Sequence, residues 1–208
     1  MELLAFDQSQ AMIDAVWPGD DELRRARVGD WFALDLADGS VGIALGDGCF
    51  SLLDYPHGYQ RFAASLARVL ARGGLFSIRL FCRPQRPEPL EDVFAALEAR
   101  QIGSFHAFKW RLAMALHGDE IRRGIAVDAV WREFQARVGD GAELACRMGW
   151  PVAEVQTIDN YRGSPNVYTY PKVEEVSLQL GDRFELLEEW RGNYELGERC
   201  PQLLFRRR

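Results

Sequence analysis

Lysine is almost absent from this sequence, because Lys109 and Lys172 are the only two and arginine supplies the other 23 of the 25 basic side chains. We interpret this as a compositional bias. The basic side chains are outnumbered by 31 acidic ones, which gives a net charge of −6. Binding to a nucleic-acid backbone requires a concentrated basic surface, so there is no strong nucleic-acid signal. The C-terminal run 206–208 of three arginines is accordingly expected to be a solvated tail.

Cysteine is also scarce and unpatterned. The four cysteines, at positions 49, 82, 146 and 200, form no Cys-x-x-Cys or Cys/His motif. We therefore expect no metal site and no disulfide. No apolar run approaches the roughly 18 residues of a membrane span. The N-terminus lacks the basic segment and long apolar run of a secretory signal, so the expectation is a cytoplasmic protein without a membrane partner.

Residues 38–84 carry the clearest structural pattern. Residues 41–45 predict a buried strand, Gly46-Asp47-Gly48 a turn, residues 59–71 an amphipathic helix stopped by two glycines, and residues 75–81 a second buried strand. This order is typical of the right-handed β-α-β crossover of a parallel sheet. Open parallel sheets bind ligands at the carboxyl ends of their strands, which is where the Gly46-Asp47-Gly48 turn lies.

The rest of the chain predicts an α/β fold in a single domain of 208 residues. A strand over residues 2–6 ends on Asp7, a helix follows to about Trp17, and a short strand lies around Arg27-Val28. Three amphipathic helical stripes predict a helical insertion at about 85–150. A helix at 172–180 precedes strands at 184–190 and 200–206, which form an antiparallel hairpin. We therefore expect a mostly parallel, doubly wound sheet closed by this C-terminal hairpin.

This order of elements resembles the class I S-adenosylmethionine-dependent methyltransferases. The likeness covers residues 3–81 well and 184–205 loosely. Its most specific piece is residues 66–78, LARVLARGGLFSI, which is similar to the family's R-V-L-x-P-G-G approach to the fifth strand. Here Ala71-Arg72 replaces the usual Lys/Arg-Pro. The resemblance implies the cofactor S-adenosylmethionine, and it places the helical insertion where such enzymes recognise their substrates.

The resemblance also implies cofactor-binding residues near the N-terminus. Asp7 matches the acid that accepts hydrogen bonds from the ribose hydroxyls of the cofactor. Gln8 and Met12 would lie near the adenine. Asp30 matches the carboxylate that accepts from the adenine amine, and Trp31 would stack or pack against the adenine ring.

Gly46-Asp47-Gly48 matches the family's turn beside the methionine part and the transferable methyl group. Glycine at such a turn lets a ligand approach the backbone closely. The catalytic residues are unknown from the sequence. His57 and Tyr55 are the candidates for a base near the methyl acceptor.

Each of these residues also has a purely structural interpretation. Asp7 could cap the helix that starts at Gln8, since aspartate is a favoured N-cap residue. Asp30 could be an ordinary turn residue. Asp47 could close its own turn through a side-chain bond to the backbone. His57 could be a surface-loop histidine.

One element of the family is missing from the sequence. A class I methyltransferase begins with a strand and a glycine-rich loop that precede the acid-ended strand, and here the acid-ended strand follows Met1-Glu2 directly. Either the chain is the shortened form of a longer protein, or it is a remnant kept as a binding or scaffold module. We expect the chain alone to bind S-adenosylmethionine weakly or not at all.

The predicted function is methyl transfer to an unknown acceptor, a small molecule or a protein side chain. The alternative is a non-catalytic methyltransferase-fold module that binds a protein partner. Exposed strand edges recruit other chains, which makes a homo-oligomer one expectation. A nucleotide-binding oxidoreductase is disfavoured, because the glycine fingerprint of a pyrophosphate site is absent.

Overall fold

The computed structural model describes residues 2–208 and consists of short strands and helices. The strands are β1 (Leu3–Asp7), β2 (Arg24–Val28), β3 (Val41–Asp47), β4 (Leu70–Arg79), β5 (Ile125–Ala126), β6 (Val167–Tyr168), β7 (Phe184–Trp190) and β8 (Gln202–Arg207). The helices are α1 (Gln10–Val16), α2 (His57–Val69), α3 (Leu90–Glu98), α4 (Phe105–His117), α5 (Val127–Arg137), α6 (Gly141–Met148), α7 (Val152–Gln156) and α8 (Val173–Leu180). Single 3-10 turns cover Cys49–Leu52, Thr157–Tyr161 and Gly197–Arg199.

The main sheet is divided into two pieces. One piece is the parallel pair β1-β2, and the other has the strand order β3-β4-β8-β7. β3 and β4 are parallel, whereas β8 is antiparallel to both β4 and β7. The predicted α/β class is confirmed, but the expected single, mostly parallel sheet is wrong. The sheet is divided because no strand among residues 2–208 lies between β1 and β3 to join the two pieces.

One face of the four-stranded sheet is covered. α2 and α8 pack together over it and bury aromatic side chains from helix, loop and sheet. Phe50 and Phe76 are 1 % exposed and Tyr59 is fully buried. Phe76 also stacks on Phe205 of β8, with ring centroids 6.2 Å apart. This core holds the two parallel strands β3 and β4 in register.

The helical insertion has a core of its own. The rings of Phe105, Phe108, Phe134 and Trp150 pack together, and all four side chains are buried. The insertion at about 85–150 contains four helices, α3 to α6, and not three, and the two-residue strand β5 precedes α5. Its core continues to Tyr170, which is fully buried, because β6 pairs back onto β5.

Two boundaries near the crossover differ from the sequence-based expectation. β3 continues through Asp47, so that only Gly48, with φ of 65°, adopts the left-handed turn conformation. α2 covers residues 57–69, and the two glycines do not stop it. Gly73, with φ of 74°, and Gly74 lie inside β4. They lie in a β-bulge, where the register of β4 shifts opposite Val41 and Ile43. A larger side chain at Gly74 would clash with the Ala71 carbonyl oxygen.

No helix in the described part of the chain is long and apolar enough to cross a membrane.

Candidate functional site

The carboxyl ends of β1 and β2 bring two predicted cofactor residues to the same edge. Asp7 is the last residue of β1 and pairs with Val28, the last residue of β2. The backbone N–H of Gly29 donates to the carbonyl oxygen of Asp7 at 2.9 Å, and Asp30 follows directly. Parallel pairing therefore places both carboxylates at one edge of the two-stranded piece.

The Asp7 side chain stabilises the turn that leaves β1. Its Oδ1 accepts a hydrogen bond from the backbone N–H of Ser9 at 2.8 Å. Ser9, and not Asp7, caps α1, because the Ser9 hydroxyl accepts from the backbone N–H of Met12. The interpretation of Asp7 as the N-cap is therefore wrong. Oδ2 lies outside this hydrogen bond and can accept from a ligand. Gln8 and Met12 lie on the surface nearby, and Met12 is 50 % exposed.

Asp30 and Trp31 adopt a turn at the end of β2. The Oδ1 atom of Asp30 accepts from the backbone N–H of Phe32 at 2.8 Å, which is the geometry of an ordinary turn aspartate. The indole Nε1 of Trp31 donates to the carbonyl oxygen of Phe6 at 2.9 Å. The Trp31 ring packs against the core beneath α2. Trp31 therefore fixes the end of β1 relative to that core.

Asp47 forms an ion pair across the parallel strands β3 and β4. Its two carboxylate oxygens accept from Nε and Nη2 of Arg79, each at 2.7 Å. The two residues are register partners, so the pair lies at the carboxyl end of both strands. The Asp47 carboxylate is therefore paired with Arg79 on the neighbouring strand. The alternative interpretation, in which Asp47 closes its own turn, is wrong.

The two glycines that flank Asp47 are required by close packing. A Cβ atom at Gly46 would lie 2.7 Å from Cδ1 of Ile78. A Cβ atom at Gly48 would lie 2.5 Å from the ring of Phe81. Next to them, burial raises the pKa of the Cys49 thiol to about 12, so Cys49 stays protonated at neutral pH.

The candidate bases lie at the start of α2. His57 is its first residue and is exposed. The Tyr55 hydroxyl accepts from Nε2 of Gln179 at 3.0 Å, and its ring meets Tyr59 edge-on at 5.3 Å between centroids. Tyr55 is therefore held by packing and by a hydrogen bond, whereas His57 faces solvent as a surface histidine does.

An aromatic pair that sequence reasoning missed lies beside the carboxyl end of β3. Phe81, just beyond β4, stacks on Trp110 of α4 with centroids 4.2 Å apart and an interplanar angle of 15°. Trp110 in turn meets Tyr170 edge-on at 5.9 Å. Because Phe81 also contacts Gly48, this stack brings the helical insertion against the carboxyl end of β3. Trp110 falls outside the apolar stripe of α4, so periodicity alone did not single it out.

A buried ion network, also missed, joins the helical insertion to the sheet layer. The guanidinium of Arg83 is 4 % exposed and donates to Asp119, to the carbonyl oxygen of Tyr170 and to both oxygens of Glu175. Burial alone would raise the pKa of Glu175. The hydrogen bonds from Arg83 and from the backbone N–H of Lys172, together with the positive charges of both side chains, outweigh burial and hold that pKa below its ordinary value. The proline-rich sequence around Arg83 gave no sign of these partners.

The described residues contain no group of three or more His, Cys, Asp or Glu side chains that could hold a metal ion.

No protein-family model and no curated protein matches the sequence. Solved structures do match. A SAM-dependent methyltransferase from Methanosarcina mazei aligns with a TM-score of 0.55 and 12% identity over 99% of this chain and 82% of that one. The complex between the Haloferax volcanii Trm112 methyltransferase activator and a putative methyltransferase contains a chain that aligns with a TM-score of 0.52 and 12% identity, over 99% of this chain and 71% of its own.

A putative Zn-dependent alcohol dehydrogenase from Rhodobacter sphaeroides aligns with a TM-score of 0.56 and 12% identity, over 100% of this chain and 76% of that one. At such identities the likeness concerns the fold alone. The other methyltransferases among the matches extend over nearly the whole chain in the same way. The chain therefore has the fold of the class I S-adenosylmethionine-dependent methyltransferases.

Proposed function

We propose that this chain is an S-adenosylmethionine-dependent methyltransferase-like protein that transfers a methyl group to an acceptor bound beside its helical insertion. The observation that carries the proposal is the position of Asp7 and Asp30. Asp7 ends β1, Asp30 lies two residues beyond the end of the neighbouring parallel strand β2, and in each carboxylate one oxygen accepts from the local backbone and the other does not. Acid side chains at strand ends are suited to accept hydrogen bonds from a nucleoside.

In this proposal the nucleoside end of the cofactor lies against β1 and β2. Asp7 accepts from the ribose hydroxyls and Asp30 from the adenine amine. Gln8 and Met12 border the adenine, and Trp31 packs at its side. The fit is supported by the hydrogen bond from Trp31 to Phe6, which fixes the loop that carries Asp30.

The methionine end would lie towards Gly46-Asp47-Gly48. The bound cofactor supplies an electrophilic methyl carbon on a sulfonium. The task of the protein is then to hold the acceptor atom in line, within about 3–3.5 Å of that carbon. A base is needed only if the acceptor must lose a proton, and His57 and Tyr55 are the candidates for that role.

We expect weak binding of the cofactor by residues 2–208 alone. The site rests on Asp7, Asp30 and the turn after β3, and in the described chain the edges of β1 and β3 have no strand between them. Fewer protein groups therefore surround the methionine end than the nucleoside end. A micromolar dissociation constant for the isolated chain would contradict this part of the proposal.

The second candidate function is a non-catalytic module that binds a protein partner. It is favoured by two large apolar side chains on the open side of β3, since Ile43 is 56 % and Leu45 75 % exposed. A solved methyltransferase bound to an activator protein is among the structures with this fold. We also propose that the chain forms a single domain, lies in the cytoplasm and methylates a small molecule or a protein side chain, and that a homo-oligomer is one way to cover its exposed strand edges.

A titration followed by NMR distinguishes the two functions. S-adenosylhomocysteine is added to the ¹⁵N-labelled chain, to Asp7→Ala and to the control Asp14→Ala, whose carboxylate on α1 is exposed. The enzyme proposal predicts saturable shifts of the Asp7 and Asp30 amides. It predicts that Asp7→Ala weakens binding by about 1–3 kcal/mol, since charge-assisted hydrogen bonds are lost. Unchanged shifts in the unsubstituted chain would favour the non-catalytic module.

A further inference from the structure

Lys109 is a buried lysine without a counter-ion. It lies on α4 and is 8 % exposed. Its Nζ donates to Oγ1 of Thr157 at 3.3 Å. The same nitrogen lies 5.1 Å from the ring centroid of Tyr161 and 5.8 Å from that of Phe105. Among residues 2–208, no carboxylate lies within 4.0 Å of it. Buried lysines are usually paired with an anion, so Lys109 is an exception.

The elements packed against α4 bring no anion to this nitrogen. Their acidic residues, all with carboxylates farther than 4.0 Å from Nζ, are Glu91, Asp92, Glu98, Asp128, Glu133, Glu154 and Asp159. Their basic residues are Arg132 and Arg137. Tyr161 meets Tyr168 edge-on with centroids 6.0 Å apart, and burial raises the pKa of both phenols. Neither phenol therefore carries a negative charge at neutral pH.

Burial without an anion favours the neutral form of the Lys109 amine. Burial lowers the pKa of Lys109 below its ordinary value. A lysine in water has a pKa of about 10.4, so only about one amine in a thousand is neutral at about pH 7.5. The rings of Phe105 and Tyr161 attract an ammonium less strongly than a buried carboxylate does. Lys109 thus has a larger neutral fraction, and the neutral amine is the nucleophilic form.

The hydrogen bond to Thr157 leaves the lone pair of this amine free. The Thr157 hydroxyl has one proton, which it donates to the carbonyl oxygen of Glu154 at 2.6 Å. Thr157 therefore accepts from Nζ and cannot donate to it. Thr157 belongs to a 3-10 turn at the surface, where Asp159 and Asn160 are exposed. A small electrophile has a short path to the amine beside this turn.

We propose that Lys109 is a modification site whose amine accepts an acyl group from a thioester. The Nζ lone pair attacks the thioester carbonyl carbon, the C–S bond breaks, and the nitrogen gives one proton to the departing thiolate. The products are an amide on Lys109 and a free thiol. The reaction uses no S-adenosylmethionine, so it is independent of the proposed methyl transfer.

The chemistry of the product favours an acyl group over an aldehyde adduct. The amide is uncharged, so acylation removes a buried cation that has no counter-ion. The amide also keeps one N–H, which can still donate to the Thr157 hydroxyl. An imine formed with an aldehyde takes up a proton and restores the buried charge. The surroundings of Lys109 therefore suit an amide better than an imine.

Competitive acetylation of the purified chain tests the proposal. Lys172 is the internal control, because its Nζ lies 2.9 Å from Oδ1 of Asp119 and its side chain is only 15 % exposed. The chain receives a limiting amount of S-acetyl-N-acetylcysteamine at about pH 7.5, and mass spectrometry follows both lysines. We expect Lys109 to react at least about tenfold faster than Lys172 in the folded chain, and at a similar rate in urea. A Lys109 that reacts no faster than Lys172 in the folded chain would overturn the proposal.

Two substitutions on the 3-10 turn separate the effect of charge from that of access. Thr157→Glu brings a carboxylate beside Nζ, which should favour the ammonium and slow acetylation of Lys109 by at least about tenfold. Asn160→Glu adds the same charge at an exposed position and should leave the rate unchanged. Equal rates in the two variants would contradict the proposal.

The pH dependence of the unsubstituted chain decides the question if Thr157→Glu fails to fold. The acetylation rate of Lys109 should stop rising at a lower pH than that of the model compound Nα-acetyl-lysine methylamide. The same pH for both would show that the Lys109 amine is an ordinary one, and the proposal would then be wrong.

Discussion

The indole Nε1 of Trp31 donates a hydrogen bond to the carbonyl oxygen of Phe6 at 2.9 Å, on the edge of β1 that points away from β2. The loop after β2 thus satisfies one backbone acceptor that a neighbouring strand would otherwise occupy. Because the Trp31 ring also packs on the core beneath α2, this contact connects the two pieces of the sheet. It holds the predicted nucleoside site in place.

Trp31→Phe should weaken this connection while keeping an aromatic ring in the core. We expect the free energy of unfolding to fall by about 1 kcal/mol, the usual net value of one hydrogen bond. Urea denaturation measures the change. Trp190→Phe is the control, because Trp190 on β7 is 46 % exposed. Equal effects of the two substitutions would mean that the bond to Phe6 does not stabilise the fold.

Gly48→Ala should be costly for two separable reasons. The φ of 65° is strained for alanine, and the added Cβ would lie 2.5 Å from the Phe81 ring. Gly39→Ala supplies the control, since Gly39 has φ of 66° and nothing within 4 Å of such a Cβ. We expect Gly48→Ala to cost about 1–3 kcal/mol more than Gly39→Ala, the usual range for overpacking. Thermal unfolding of both variants measures the difference, and equal costs would show that the Phe81 ring moves aside freely.

Arg83→Met should strongly destabilise the junction between the sheet layer and the helical insertion. The substitution removes the guanidinium donors of Glu175 and of the Tyr170 carbonyl oxygen, and leaves Glu175 with only the backbone N–H of Lys172. Breaking a buried ion pair in this way costs about 3–5 kcal/mol. Arg206→Met is the control, because Arg206 and Glu185 are each about half exposed and surface pairs contribute at most about 1 kcal/mol. Similar losses of stability in the two variants would contradict the assigned role of Arg83.

His117 should make stability depend on pH. Burial lowers the pKa of His117 below its ordinary value, and Nε2 accepts from the backbone N–H of Tyr170, so the folded state favours the neutral ring. The unfolded state therefore binds the proton more tightly. The stability that neutral His117 gives the folded state is therefore fully present above the ordinary pKa of about 6.5. It is lost as the pH falls through and below that value.

The test of His117 compares the free energy of unfolding at about pH 7.5 and about pH 5. The unsubstituted chain should lose stability between these values. His117→Gln should reduce that loss, while His106→Gln, which changes an exposed histidine, should leave it unchanged. An identical pH dependence in all three proteins would rule out His117 as the cause.

The sequence predicted elements whose patterns are local. The apolar runs of β3 and β4 and the helix at 172–180 depend on residues close in the chain, so these elements were found to within about five residues. The glycines at 73 and 74 were misassigned, because glycine marks a helix end and a strand bulge equally well. The division of the sheet follows from long-range pairing, because no strand among residues 2–208 lies between β1 and β3.

Contacts between distant segments could not be predicted. Arg83 and its partner Glu175 are 92 positions apart in the sequence, and Trp31 and Phe6 are 25 positions apart. Such contacts depend on how the layers pack against each other. The periodicity of apolar residues in a short stretch of sequence does not determine that packing. For the candidate site, the positions of Asp7 and Asp30 at strand ends were foreseeable from pattern and resemblance. The ion pair of Asp47 with Arg79 was not, because it required the register of β3 against β4.

Among residues 2–208, the sheet is open between β1 and β3. Amide hydrogen exchange of the purified 208-residue chain tests it most directly. We expect exchange rates to alternate along β3, with fast exchange at Ile43 and Leu45 and slow exchange at Ala44 and Gly46, whose amides face β4. Equally slow exchange at all four amides would contradict it, because both edges of β3 would then be paired.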